Sequence, residues 1–231
     1  MHSLLTAELI RALAAERRSD AMNLFARDEA EVYKRRLAEV TIGEPARVAG
    51  PIELAEHESR WSQIYRQHAA RVAAALGRRA LRIEHVGSTS VPGLPAKPII
   101  DIALVVADAA RESSYLLDLE QAGYRLRIRE PEWLEHRMCT DHDGTANVHV
   151  FSAGCEEVER MTRFRDWLRR NPADRDLYAR AKRELAQRDW EYVQQYADAK
   201  SDVVAAILAR SSTAETLIEE TGAAHHPTAG R

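Results

Sequence analysis

The chain has 231 residues, of which 45% are hydrophobic and 30% are charged, and its net charge is −3 at pH 7. This length provides one well-packed core with a helical extension rather than two full domains. The near-neutral charge argues against a dedicated nucleic-acid-binding protein, and no apolar run approaches the roughly 18 residues that span a bilayer. Cys139 and Cys155 are too few for a disulfide scaffold. We therefore expect a cytoplasmic globular protein that binds neither membranes nor nucleic acids.

Residues 1–44 are predicted to form an N-terminal helical extension. Ala, Leu, Glu and Arg dominate this segment, and the first glycine of the chain is Gly43. The sequence Gly43-Glu44-Pro45 then ends the helical pattern, which places a boundary here. We interpret the extension either as a helix docked on the main domain or as a partner-binding helix, with a homodimer as one such assembly.

Residues 45–210 have the pattern of an α+β domain. Alternation over 80–86 predicts a half-buried strand, and the β-branched run over 98–106 predicts a strand buried on both faces. The other predicted elements are an edge strand at 47–54, helices at 58–76 and 109–122, strands at 124–129, 135–140 and 146–151, and helices from 156 to about 210 with a break at Asn171-Pro172. We predict a small mixed β-sheet with flanking and C-terminal helices, and a flexible tail over 211–231.

The segment between the strands at 80–86 and 98–106 has the composition of an anion-binding loop. Gly87 lets the backbone approach a ligand closely, and Ser88, Thr89 and Ser90 supply hydroxyl and N–H donors. Three prolines at every third position restrict the loop, and Lys97 can place a positive charge at its mouth. Serine-rich turns of this kind also occur without any ligand.

Asp101 lies inside the apolar run of the second strand. An ionised carboxylate in such surroundings is costly unless it is paired or binds a metal. Two interpretations stay open on the residues alone: Asp101 accepts hydrogen bonds from the Gly87–Ser90 turn, or it takes part in ligand binding.

Several segments resemble the GrpB family. They are HVGSTSVPGLPAKPIID (85–101), NVHVF (147–151), FRDWLR (164–169) and YADAK (196–200), and the resemblance extends from about Val48 to Leu208. GrpB proteins are similar to the nucleotidyltransferase superfamily, whose pattern is a Gly-Ser turn, then Asp-x-Asp or Asp-x-Glu on a strand, and a third carboxylate on a later strand. The resemblance implies a sheet of the nucleotidyltransferase type, phosphates held at Gly87-Ser88, and Asp101 as a Mg²⁺ ligand. The reaction it implies is transfer of a nucleotidyl group from a nucleoside triphosphate to a small acceptor.

One position departs from that pattern. Residues i and i+2 share a face of a strand, so Asp-x-Asp directs two carboxylates to one metal pair, but here the second position is Ala103. In the strand where the third carboxylate is sought, Asn147 and His149 share a face. We therefore expect Asp101, His149 and His85 to converge beside the Gly-Ser turn, either in a one-metal site or in a metal-free site with histidine as a general acid or base.

Three activities stay open at this point. The chain is a nucleotidyltransferase-like enzyme, a non-catalytic module that binds a ligand or partner, or an enzyme of different group-transfer or acyl chemistry with His149 as the base. The expected ligand is a nucleotide or another phosphorylated small molecule. Arg165 is a further candidate for a phosphate contact, although its acidic neighbours also suit it to ion pairs. His136 and His142 are interpreted as incidental turn residues.

Overall fold

A computed structural model of the protein describes residues 28–223, with side chains described to residue 213. The chain divides into two compact units, Met1–Pro45 and Ala46–Arg231. In the first unit a helix covers residues 28–40 (α1). The rest of the predicted N-terminal helix, residues 1–27, lies outside the described residues, and its role in a homodimer stays a prediction.

The second unit is built on one five-stranded mixed sheet, which confirms the predicted α+β class. Its strands are β1 (Arg82–Val86), β2 (Ile100–Val106), β3 (Tyr124–Glu130), β4 (His136–Asp141) and β5 (Ala146–Ser152). They lie in the order β1-β2-β5-β4-β3. Only β2 and β5 are parallel, and the other neighbouring pairs are antiparallel. The predicted turn between the last two strands joins β4 and β5 as a hairpin.

One face of the sheet carries the main hydrophobic core. Helices α2 (Arg60–Leu76) and α3 (Leu116–Gln121) cover this face. From β2 the residues Ile100, Ile102, Leu104 and Val106 point into it, because side chains at i and i+2 of a strand lie on the same side. Trp61 of α2 packs against them and is fully buried. The alternate residues of β2, which include Asp101 and Ala103, therefore face the other way.

Four helices follow the last strand. They are α4 (Glu156–Arg170), α5 (Pro172–Ala186), α6 (Val193–Asp198) and α7 (Ser201–Ala223). Met161 and Val158 of α4 pack on Ala103 and Phe151, which lie on the second face of the sheet. The break between α4 and α5 falls where it was predicted, because Pro172 occupies the first turn of α5 and cannot continue α4.

The elements differ from the sequence prediction at four places. The segment 47–54 forms no strand and contributes an isolated bridge between Arg47 and Tyr192. The helix expected at 109–122 is shortened to α3, preceded by a 3₁₀ turn over Glu112–Ser114. The long C-terminal helix breaks again after Ala186, where Trp190 donates its indole N–H to the carbonyl of Leu185. Beyond that break, α7 extends to Ala223, since no Gly or Pro interrupts residues 211–221. Within residues 28–223, none of the helices combines the length and the apolar composition that a membrane crossing requires.

Candidate functional site

Gly87 brings the backbone directly against Asp101. In the antiparallel β1–β2 pair, Val86 is the partner of Asp101, so the turn after β1 lies over that carboxyl group. Gly87 has φ +69 and ψ −174, a conformation that is essentially restricted to glycine. A Cβ at this position would lie 2.4 Å from Oδ2 of Asp101. The glycine is therefore required by the contact with the carboxylate.

Asp101, Asn147 and His149 lie together on the second face of the sheet. In the parallel β2–β5 pair, Asp101 is opposite Asn147, and Ala103 is opposite His149. The Asn147 amide donates to Oδ1 of Asp101 at 3.3 Å, and Nε2 of His149 lies 3.6 Å from the same oxygen. Thr140 donates to the Asn147 carbonyl oxygen at 3.1 Å, which orients the amide. One third of the Asp101 side chain (33%) is exposed, so a ligand can reach it.

These neighbours keep Asp101 ionised. Burial opposes the charge of this carboxyl group, but the contacts with the protonated form of His149 and with Asn147, and the positive charge of Lys200, outweigh that effect. The pKa of Asp101 is consequently lower than its ordinary value.

The charge of Asp101 influences three lysines, and they come from three different segments. The chain has only four lysines among its 33 basic residues. Lys97 lies in the loop before β2, Lys182 in α5 and Lys200 at the start of α7, and the charge of Asp101 acts on all three. The fourth, Lys34, belongs to the other unit. We refer to Gly87, Ser88, Asp101, Asn147, His149 and these three lysines as the Asp101 site.

Two of these lysines, Lys182 and Lys200, contact buried neighbours. Lys182 is 2% exposed and donates to the backbone carbonyl of Pro95. The Lys200 ammonium lies 4.4 Å from the ring centroid of Tyr196, a cation–π contact. Burial lowers the pKa of Lys182 to about 7, and the charges of Lys200 and Arg183 act in the same direction. Burial likewise lowers the pKa of Lys200 to about 8.

Tyr178 of α5 contacts two residues of the Asp101 site, Lys182 and Ser88. Its side chain is buried, and the Lys182 ammonium lies 5.1 Å from its ring centroid. Burial raises the pKa of Tyr178, while the hydroxyl of Ser88 within hydrogen-bonding reach acts against that rise. Ser88 is partly exposed, and its hydroxyl is paired with Tyr178.

The other hydroxyls of the loop are used within the protein. Thr89 and Ser90 are buried. Thr89 Oγ1 donates to the carbonyl of Ile99 at 3.4 Å, and the Ser90 hydroxyl donates to the carbonyl of Gly87 at 2.5 Å. The structure therefore gives both side chains a role in shaping the turn and not the ligand contact expected of them.

His85 does not converge with Asp101 and His149. It is the partner of Ile102 in the sheet and lies on the core face, stacked on Tyr65 of α2 at 4.5 Å between ring centroids. Its Nε2 is 3.1 Å from Oγ1 of Thr89. Burial lowers the pKa of His85 to about 4, so the imidazole is neutral. Its contact with Thr89 stabilises the Gly87–Ser90 turn from the core side of the sheet. The alternation of side chains along β1 separates it from the Asp101 face.

Arg165 is engaged by acidic neighbours. Its guanidinium contacts Asp166 at 2.7 Å and Glu84 at 2.8 Å, and it donates to the carbonyl of His85 at 2.9 Å. These contacts raise its pKa above the ordinary value. The structure therefore assigns Arg165 to joining α4 to β1 instead of the expected phosphate contact. Arg169 lies four residues further along α4 and donates twice to the carbonyl of Ser90, at 3.1 and 2.8 Å. It therefore joins α4 to the Gly87–Ser90 turn.

Comparison with known proteins identifies the family. Residues 51–210 match the family described as GrpB protein. The chain belongs to the GrpB family. A UPF0157 protein of Halalkalibacterium halodurans is 56% identical over 176 residues, which cover 76% of this chain and 90% of that protein. The crystal structure of the conserved protein GrpB from Enterococcus faecalis is similar with a TM-score of 0.61 and 28% identity, covering 69% of this chain and 96% of that one.

One further relative is a longer protein. A dephospho-CoA kinase of Mycolicibacterium paratuberculosis is 30% identical over 164 residues, and the match covers 60% of this chain and 40% of that protein. A segment similar to this GrpB-family chain therefore occurs as part of a larger polypeptide.

The Asp101 site of this GrpB-family chain does not fit a magnesium ion. Mg²⁺ requires several oxygen ligands in near-octahedral geometry. Asp101 is the sole carboxylate of the site, with Ala103 at the second position, and its charge is balanced by lysines and a histidine. Over the residues that the structure describes, there is also no cluster of three His, Cys, Asp or Glu side chains that could hold a metal.

Sequence reasoning missed Lys182, Lys200 and Tyr178. Each lies in a helical pattern that reads as an ordinary solvated or packed face, more than 75 residues after Asp101. One signal was available: in a chain whose basic residues are nearly all arginine, each lysine is unusual. Lysine carries a compact charge and tolerates burial through a lowered pKa, which arginine does not, so rare lysines in such a chain mark candidate sites.

Proposed function

We propose that this GrpB-family protein binds a nucleotide or another phosphorylated small molecule at the Asp101 site. The observation that carries the proposal is that Asp101, directly below the Gly87 turn, acts electrostatically on Lys97, Lys182 and Lys200. Three ammonium groups and one carboxylate together carry an excess of positive charge. A phosphate group carries about −1.5 to −2 charges at neutral pH and accepts several hydrogen bonds, so it complements this excess.

The groups of the site come from two parts of the chain. Gly87 and Ser88 lie in the turn after β1, and Lys182 and Lys200 lie in α5 and directly before α7. One relative carries the name dephospho-CoA kinase, and dephospho-CoA contains an adenine nucleotide. Because the match covers 40% of that protein, the name supports the ligand class without identifying the ligand.

Calorimetric titration with ATP, ADP and inorganic triphosphate, with magnesium and with EDTA, tests the binding. We expect binding that persists in EDTA, because lysines and not a metal neutralise the phosphates. Lys200→Met should weaken it by roughly tenfold or more. Arg78→Met removes an exposed positive charge from the 3₁₀ turn after α2, on the other side of the sheet, and should leave the affinity unchanged. Binding of none of the three compounds, or equal losses in both variants, would contradict the proposal.

A second candidate function is nucleotidyl transfer at the same site, and the position of His149 favours it. An acceptor hydroxyl would attack the α-phosphorus of a bound nucleoside triphosphate, forming an O–P bond while the bond to the bridging oxygen of pyrophosphate breaks. The hydroxyl proton would pass to Nε2 of His149, and pyrophosphate would leave with the bonding electron pair. His149 lies beside Asp101 with 19% of its side chain exposed, which suits a general base.

Pyrophosphate release from nucleoside triphosphates, measured with a panel of small hydroxyl and amine acceptors, tests the transfer. We expect His149→Gln to lower turnover by about 10²–10⁴-fold, the usual contribution of a general base, while ATP affinity is retained. Binding of ATP without turnover on any acceptor would assign the protein to the ligand-binding class.

A further inference from the structure

A row of four polar side chains crosses the second face of the sheet. Asp101, His149, His136 and Glu130 come from β2, β5, β4 and β3, which are consecutive strands in the sheet order. Nε2 of His149 lies 3.6 Å from Oδ1 of Asp101, and Nδ1 of His149 lies 3.1 Å from Nε2 of His136. Nδ1 of His136 lies 2.7 Å from Oε2 of Glu130. The two imidazoles are thus linked in series between two carboxylates.

The middle of this row is fixed by aromatic packing. His136 is buried and stacks on Phe151, with ring centroids 4.9 Å apart. The edge of Trp133 meets it at 5.1 Å, and His149 stacks on it at 5.2 Å. His136 therefore cannot turn its ring away, and both of its nitrogens face a polar partner.

The contacts determine where the N–H protons lie. Glu130 is an acceptor, so the N–H of His136 is on Nδ1, at the shortest contact of the row. Burial lowers the pKa of His136, although the hydrogen bond with Glu130 opposes this, so the ring is neutral and its Nε2 accepts. His149 must then donate from Nδ1. A neutral His149 consequently has a free lone pair on Nε2, the nitrogen at the longest contact and nearest to Asp101.

We infer that Glu130 and His136 are positioning residues that fix the tautomer of His149 and leave its Nε2 as the basic nitrogen of the Asp101 site. This inference rests on the second candidate function, in which His149 accepts the proton of an acceptor hydroxyl. When that proton arrives at Nε2, the new N–H donates to Asp101, while the Nδ1–H stays on His136. No other bond changes, and the positive charge lies between the two carboxylates that end the row.

His136 is a buried strand residue and not an incidental turn residue. The sequence placed it in a turn, where it was interpreted as incidental, but it begins β4 and is buried. Its spacing of 13 residues from His149 becomes a direct contact only because β4 and β5 pair as a hairpin.

Nuclear magnetic resonance of the full chain with ¹⁵N-labelled histidine tests the inference without any ligand. At a pH above the histidine titration range, we expect His149 to show a protonated Nδ1 and an unprotonated Nε2. Glu130→Gln keeps the shape of the side chain but removes its charge, so the population of that tautomer should fall. Glu132→Gln, an exposed neighbour in the same loop, is the matched control and should leave the His149 signals unchanged.

Two results would overturn the inference: a proton on Nε2 of neutral His149 in the unmodified protein, or identical His149 signals in the parent and Glu130→Gln. The first needs no variant, so it decides the matter even if Glu130→Gln folds poorly. Failure of nucleotide binding would be seen separately by calorimetry, because the tautomer is read in the free protein. The two proposals can therefore fail independently.

Discussion

At the scale of single residues, the contact between Gly87 and Asp101 is the tightest point of the site. Gly87 allows a backbone conformation that other residues adopt only under strain, and it leaves room for the carboxylate. The sequence suggested that this glycine makes space for a ligand. In the structure this space is occupied by the carboxylate of Asp101.

Replacement of this glycine tests the contact. We expect Gly87→Ala to lower the free energy of unfolding by about 1–3 kcal/mol from backbone strain alone, with a further loss from the clash with Asp101. Urea denaturation measures the change. Gly50→Ala is a suitable control, because a Cβ at Gly50 has no atom within 4 Å. Equal effects of the two substitutions would show that the contact with Asp101 is not tight.

The two buried lysines predict how binding depends on pH. Lys182 and Lys200 have pKa values of about 7 and about 8, and only their protonated forms attract phosphate. A nucleotide phosphate, with its second pKa near 6, is almost fully ionised at neutral pH. As the pH rises above these lysine values, the ammonium groups lose their protons and the ligand gains no charge, so affinity should fall.

Calorimetric titration with ADP at about pH 7, 8 and 9 measures this dependence. We expect proton uptake on binding and a steady loss of affinity toward high pH. In Lys182→Met the slope should be smaller, since one of the titrating groups is gone. An affinity that rises with pH would contradict the assignment of these lysines to the ligand.

At the scale of elements, the β3–β4 hairpin positions Glu130 and His136, the last two members of the row that begins with Asp101 and His149. Leu134 and Glu135 both have positive φ values, 56° and 51°, which are unfavourable for residues with a side chain. This turn positions Glu130 and His136 opposite each other at the edge of the sheet. The backbone strain lies beside residues to which we assign a positioning role.

Relief of that strain is measurable. Glu135→Gly should raise the free energy of unfolding by up to about 1 kcal/mol, because glycine adopts positive φ without a Cβ clash. Chemical denaturation provides the measurement. Glu132 has no positive φ, so Glu132→Gly in the same loop should be neutral or destabilising. Destabilisation by Glu135→Gly would show that the turn is held by its side chain.

Most elements could be predicted from their own residues. The alternation over 80–86 and the apolar run over 98–106 lead to β1 and β2, since such patterns depend only on which side chains face the core. The helix at 109–122 was predicted too long and the strand at 47–54 was not formed. These segments have weak local patterns, and their conformation depends on what packs against them.

At the scale of the whole molecule, Cys139 reports on global stability. It lies in the centre of β4, fully buried in the main hydrophobic cluster, and burial raises its pKa to about 12. A thiol in these surroundings is unreactive until the sheet opens. Cys155 is partly exposed at the start of α4 and is free.

Thiol labelling separates the two cysteines. In a Cys155→Ser variant, we expect labelling of Cys139 to require global unfolding, so its opening free energy should equal that from denaturant unfolding. In Cys139→Ser, the remaining Cys155 should react under native conditions. Rapid labelling of Cys139 in the folded protein would mean that β4 opens locally, which would also loosen His136.

The sequence by itself determined the α+β class and the turn at Gly87-Ser88, placed Asn147 and His149 on one face of a strand, and led us to expect His149 near Asp101. These follow from side-chain periodicity and from the resemblance to the GrpB family, both of which are local properties. Only the tertiary structure decided that His85 lies on the opposite face, that the charge of Asp101 acts on Lys182 and Lys200, and that His136 connects His149 to Glu130. Strand order and helix docking bring these residues together, and neither is encoded in the spacing of residues along one segment.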